Sequence, residues 1–239
     1  MKLHRKILSI SGVLAYSMGI LLGLVLSGWS TWGEIEAAWM VFRTGEGSIQ
    51  LHCPLMLDST EMGSVSASFD NPTEDVIHPT IHAVIGHAFL PRTESTVLTL
   101  ATGENKQLRW TVGPDDMVFG GLILVNVFET SQRNFPSHQG SCGILFSRFP
   151  GLSGKWIFIF MFIVSLICIG SGATLWVTGA SPLRGEVEEA TKAGFVLAGI
   201  VFADMLLILP RWWALSGFFF LAAIMLIVIV ITQFVLFPM

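Results

Sequence analysis

Charge is scarce in this sequence. Asp, Glu, Lys and Arg make up 13% of its 239 residues, roughly half the ~25% of an ordinary soluble domain. Hydrophobic residues reach 52% and mean hydropathy is +0.69, so a chain wholly surrounded by water is excluded. Catalytic signatures are missing too: there is no Gly-rich phosphate loop, no G-x-S-x-G elbow and no H-E-x-x-H zinc pair, which removes the enzyme classes that those motifs define. Asn71 is followed by Pro72 and so is no glycosylation acceptor. Nothing in the chain names a small-molecule substrate or a cofactor, and the expectation is a protein without enzymatic chemistry.

What the chain does contain is long apolar runs. Residues 7–29, "ILSISGVLAYSMGILLGLVLSGW", carry no charge and suffice for one helix across a hydrocarbon core that needs about 20 residues. Residues 1–6 precede it as a cytoplasmic N-terminus, with Lys2, Arg5 and Lys6 holding that end inside. The run exceeds the 7–15 residues usual for a signal peptide and no A-x-A site follows, so an uncleaved anchor is expected. Three more spans are expected at 156–178, 193–209 and 212–237. Residues 179–192 would form a cytoplasmic loop, and the C-terminus would also be cytoplasmic. Trp156, Trp176, Trp212 and Trp213 fall at span ends, where interfacial aromatics belong. The chain thus reads as a multi-pass protein of the cytoplasmic membrane whose first partner is the lipid bilayer.

Residues 30–154 form the polar segment between the first two spans, the size of one small domain, and would lie outside the cytoplasm. In "GSVSASF" Val65, Ala67 and Phe69 share one face, and in "QLRWTV" Leu108, Trp110 and Val112 do, the period-two pattern of half-buried strands. Further strands are expected at 48–53, 78–89, 95–100, 119–128 and 141–147, with turns at Asn71-Pro72, Pro91, Gly103, Gly113-Pro114 and Pro136. Residues 34–44 fit either a short helix or a lead-in strand. The fold class expected is four transmembrane α-helices, one before and three after an inserted all-β immunoglobulin-like sandwich.

The order "SASFDNPTEDVIHPTIHAVI" then "LTLATGENKQLRWTV" resembles the bacterial immunoglobulin-like modules related to the CARDB and NEW3 domains, over about residues 60–128. There a strand and Asn-Pro turn precede a Leu-x-x-Gly-Glu turn and an aromatic-bearing strand. The resemblance implies an adhesion, spacing or partner-binding module and carries no catalytic residue across. It does not extend to the four helices.

Three cysteines are present. Cys168 lies within the second span, where a small packing role is expected. Cys53 and Cys142 sit near the first and last expected strands, and an oxidising compartment would permit a disulfide between them. Closing that loop of about 90 residues is worth roughly 4–5 kcal/mol by chain entropy. Free buried thiols are the alternative. A third arrangement draws on "LHCPLM": His52, Cys53 and Met56 are the side-chain types of soft copper sites, yet His52 and Cys53 are adjacent and point to opposite strand faces. His78 and His82 share strand parity and His87 does not, so no metal is expected.

Asp204 is the single ionisable residue well inside a span. Intramembrane acids mark ion or proton pathways, which gives the alternative function of a small transporter or ion-coupled subunit. The local alternative is structural pairing: Asp204 lies about 9 Å along the helix from Pro210, within reach of Arg211, or it hydrogen-bonds to another helix. On the first span Ala15, Gly19 and Gly23 repeat every four residues, a small-residue stripe that packs on the protein's own helices or on a second subunit. In residues 30–154 thirteen acidic residues face six basic ones, Arg43, Arg92, Lys106, Arg109, Arg133 and Arg148. That balance disfavours nucleic acid. A protein partner or a homo-oligomer is expected, with an acidic β-sandwich as the displayed surface. In the loop, Glu188 and Lys192 have the i, i+4 spacing of a helix pair.

Overall fold

The computed structural model describes residues 2–39, 47–86, 91–118, 121–130, 138–147, 152–181 and 185–232. The chain divides into two compact units, Met1–Thr31 with Phe158–Met239, and Trp32–Ile157.

The first unit is built from four helices: α1 (Lys2–Trp39), whose residues from Trp32 onward belong to the second unit, α2 (Gly154–Ala180), α3 (Glu186–Ile208) and α4 (Trp213–Ile231). Each is long and apolar enough to cross a membrane. Their outward surfaces carry Leu14, Phe160, Phe202, Phe218 and Met225 exposed, the side chains that lipid covers. Two of the expected boundaries differ. α1 runs past residue 29 through "STWGEIEAAW", so the open choice for 34–39 resolves as helix, while residues 40–44 lie outside the described set. α3 starts within the expected loop at Glu186, because "EVEEATK" is strong helix-forming sequence and gains the Glu188–Lys192 pair at 2.7 Å.

Small residues set how these helices approach. The buried positions of α1 include Gly12, Tyr16, Gly19, Gly23, Leu26 and Ser30, in alternating steps of four and three, with Ile20, Ser27 and Thr31 flanking that row. This is the 3.5-residue seam of packed helices, whereas a strict four-residue stripe drifts around the axis. Gly12 therefore belongs to the contact and Ala15, which the four-residue spacing selected, is only half-buried. A Cβ at Gly172 of α2 would meet the backbone of Tyr16 and of Gly12, and one at Gly19 would lie 2.7 Å from the Ile169 backbone nitrogen. Backbones this close require glycine at the point of approach. The lone tyrosine of the chain, Tyr16, packs its ring 5.8 Å from that of Trp176 and donates its hydroxyl to the Gly194 carbonyl on α3.

The second unit is a two-sheet β domain. Its strands are β1 (Gly47–Ser48), β2 (Leu51–His52), β3 (Met56–Asp58), β4 (Gly63–Asp70), β5 (Thr80–Ile85), β6 (Arg92–Val97), β7 (Asn105–Val112), β8 (Leu122–Thr130) and β9 (His138–Ser147). The larger sheet has the order β1-β9-β8-β5-β6, with β3 also on β9; the smaller has β2-β4-β7. Pairings are antiparallel except β1 and β3, which lie parallel to β9. The expected strand at 48–53 is in fact two short strands in different sheets: the chain pairs with β9, crosses to β4 and returns. The expected 95–100 strand sits earlier, at Arg92–Val97.

The core lies between the sheets. Val65, Ala67 and Phe69 of β4 and Trp110 and Val112 of β7 face Ile81, Ala83 and Ile85 of β5, Ile123, Val125 and Val127 of β8, and Cys142 and Ile144 of β9. Leu122, Leu124 and Leu145, of opposite parity, are buried too, because the tail of α1 covers that end of the sheet: Gly33 lies against Gly143 and Leu122. Two turns are tied together by Asn71, which is almost fully buried. Its Nδ2 donates to the carbonyls of Asp75, Leu100 and Ala101 at 2.8, 3.0 and 3.1 Å, while Oδ1 accepts from Thr73. Gly103, at φ 69°, donates back to the Asn71 carbonyl, a left-handed conformation that favours glycine. The Asn-Pro turn and the Ala-Thr-Gly-Glu turn thus form one clamp.

Candidate functional site

Cys53 and Cys142 form a disulfide with Cα atoms 6.7 Å apart. Cys53 follows β2 of the small sheet and Cys142 lies on β9 of the large one, so the bond pins the two sheets across the core. Its formation commits the sulfur that a copper site would need as thiolate. The neighbours diverge as strand parity dictates: His52 is exposed on β2 and Met56 is buried on β3. His78 bonds to Thr99 Oγ1 at 3.1 Å. His82 bonds to Ser95 Oγ at 2.8 Å and stacks on Phe128. His87 lies outside the described residues. Cys168 carries a free thiol on α2, with its Cβ near Gly19.

Asp204 on α3 is fully buried. Ser216 of α4 donates to its Oδ1 at 2.5 Å, and Thr31 Oγ1 of α1 is 2.8 Å from Ser216 Oγ. Ser27, one turn before Thr31 and also fully buried, borders the same carboxyl. Three helices therefore meet through hydroxyls at one acid, and Oδ2 has no hydrogen-bond partner among the described residues. A second interhelical bond runs from Ser165 Oγ to the Gly19 carbonyl at 2.8 Å. The hydrogen bond to another helix considered for Asp204 is present, and its donor is Ser216 of α4. Ala15, Gly19 and Gly23 divide: Gly19 faces α2, Gly23 faces Val201 and Met205 of α3, and Ala15 lies at the margin.

A further cluster lies in the β unit. The β8–β9 register pairs Phe128 with Gln139, and its next step sets Glu129 opposite His138. Both residues have the core-facing parity of their strands, Glu129 with Val125 and Val127, His138 with Cys142 and Ile144. The Glu129 side chain is 7% exposed, and its Oε2 is 3.4 Å from His138 Nδ1. Burial raises the Glu129 pKa above the ordinary carboxylate value, the His138 partner works against that, and Asp70 adds to it. These groups line a cleft of about 290 Å³ at the end of the sandwich, together with Ile49, Gln50 and Phe69. The sequence reading missed this cluster. Its signal was a carboxylate and an imidazole on the inward parity of two strands, each just beyond the strand ends expected at 128 and 141.

No protein-family model and no curated protein matches this chain. Among solved structures, a CARDB domain from Pyrococcus furiosus in complex with di-metal ions is similar over 44% of this chain and 90% of that one, with 10% identity and a TM-score of 0.35. The solution structure of the same domain is similar over 41% and 92%, with a TM-score of 0.34. A β-glucosidase from Listeria innocua in complex with glucose is similar over 44% of this chain at 14% identity and a TM-score of 0.31, and only 16% of that chain is covered. Part of the chain is thus similar in structure to CARDB and other immunoglobulin-like β domains.

Proposed function

We propose that this multi-pass membrane protein holds its acidic immunoglobulin-like domain on the extracytoplasmic side of the cytoplasmic membrane and works there by protein contact. Its role is that of an accessory or assembly subunit rather than an enzyme. The observation that carries this reading is the Cys53–Cys142 bond, since such bonds persist on the oxidising side of a membrane. The basic residues Lys2, Arg5 and Lys6 before the first span support the same orientation, with both termini cytoplasmic. Support for contact comes from β6, an edge strand whose six residues are all exposed. An open strand edge pairs readily with another chain.

The test is gentle extraction from the native membrane followed by native mass spectrometry, with thiol alkylation in parallel. The expected result is a second polypeptide on the protein, with Cys53 and Cys142 protected until reduction. A lone protein with both thiols alkylated overturns the reading.

A second reading is favoured by one specific observation, the fully buried Asp204 with an open Oδ2. In that reading the acid serves ion or proton coupling. It predicts ion or proton flux in proteoliposomes that Asp204→Asn abolishes; equal flux in the variant, or none in either, removes it.

A further inference from the structure

The cleft at the end of the sandwich combines size, charge and an incompletely satisfied buried acid. Glu129 is more than nine-tenths buried, and its ion pair with His138 engages Oε2. No described residue hydrogen-bonds to Oε1, and this oxygen is not one of the fully enclosed atoms left without a partner, so it is open to the cleft that Glu129 lines. Asp70 stands at the rim. The nearby base is already engaged: Lys106, cross-strand from Phe69, donates to the Thr99 carbonyl and pairs with Glu104 at 3.2 Å. Among the described residues no Lys or Arg lines the cleft. A buried carboxylate short of partners is costly, and that cost falls when a cation completes its hydrogen bonds.

The shape narrows the class of cation. At about 290 Å³ the cleft lies at the small end of ligand pockets, suited to one side chain or a small amine. Phe69 and Ile49 give it apolar walls for a methylene stem, and Gln50 adds an amide at the mouth. Guanidinium and ammonium groups carry donors and no acceptors, which matches the two carboxylates of the wall, Glu129 and Asp70, beside the single donor His138. We infer that this cleft binds a cationic nitrogen group, a guanidinium or ammonium on a short aliphatic stem, between Glu129 and Asp70. Where the cation is a partner's Arg or Lys side chain, the inference rests on the contact role proposed above and names the chemistry of that contact. A free amine is the other source.

The full chain in lipid nanodiscs is titrated at low salt with agmatine, with a short peptide bearing one Arg, and with the same peptide bearing citrulline in its place. Calorimetry is expected to show saturable binding of agmatine or the Arg peptide and none of the citrulline peptide. Glu129→Gln and Asp70→Asn are each expected to weaken binding by tenfold or more. Asp70 is on the surface, so Asp70→Asn decides the matter even where Glu129→Gln disturbs the fold, which protection of the Cys53–Cys142 pair from alkylation reports. Agmatine binding alone assigns the site to free amines, and peptide binding alone assigns it to a partner side chain. Absence of saturable binding by both cations, equal binding of the citrulline peptide, or unchanged affinity in Asp70→Asn overturns the inference. A partner that co-purifies with the wild type and equally with Asp70→Asn removes the cleft while leaving the contact role; cation binding by a protein that extracts alone does the reverse.

Discussion

Glu129 shows what a single carboxylate does when its strand parity points it inward. Burial raises its pKa, so across the interval between its unfolded and folded values the native chain holds a proton that the unfolded chain has released. Its contribution is full below the unfolded value and is lost as pH rises through the folded value. Urea unfolding of the β unit, followed by tryptophan fluorescence over a pH series, is expected to give a wild type that loses stability relative to Glu129→Gln as pH rises through that interval. Parallel curves for the two proteins would show that the buried carboxyl is not the source. Asp204 differs in kind, since its hydroxyl partners come from separate helices.

At the scale of elements, two arrangements decide stability and each admits a direct check. Asn71 joins two turns through three donated hydrogen bonds. Asn71→Ala removes the bonds that join the two turns and is expected to cost about 1–3 kcal/mol, visible as a lowered unfolding midpoint, with Thr73→Ala costing less. In the helices, Gly172→Leu forces a side chain into the backbone of Tyr16 and Gly12. Overpacking of this kind costs about 1–3 kcal/mol, or more where backbone has to move. Scanning fluorimetry in detergent should show a clear drop for Gly172→Leu and little change for Ala15→Leu; equal drops would return Ala15 to the seam. Strand parity made β4 and β7 legible in the sequence, since each has one apolar face. The seam of α1 was not, because glycine recurs along membrane helices and only the facing backbone of α2 distinguishes Gly12 from its neighbours. Glu129 and His138 were hidden for another reason: polar residues at the end of an apolar run read as turn, although the ladder continues through them.

For the molecule as a whole, four apolar spans around a polar insert follow directly from where charge is absent. The order of the strands does not, because β1 and β3 reach β9 across some ninety residues and such non-local pairing leaves no periodic trace. The Cys53–Cys142 bond is the clearest bridge between these levels, as both cysteines lay on expected strands. Cys142→Ser is expected to destabilise the β unit by about 2–5 kcal/mol and to leave Cys53 open to alkylation. Chemical denaturation with and without reductant checks this: the variant should unfold at the same midpoint in both conditions, while the wild type should fall to it only when reduced.

The spacing of that cystine also orders events during synthesis. The two cysteines are 89 residues apart, and Cys142 precedes α2 by only a dozen positions. In the orientation proposed above, on a chain delivered from its N-terminus, Cys53 reaches the oxidising side as an unpaired thiol long before its partner exists. Until β9 has followed, the bond cannot close, and Cys53 is exposed to oxidants and to foreign thiols. The last stretch of the insert to cross is therefore the one that ends this vulnerable interval, just as the second span begins to enter the bilayer.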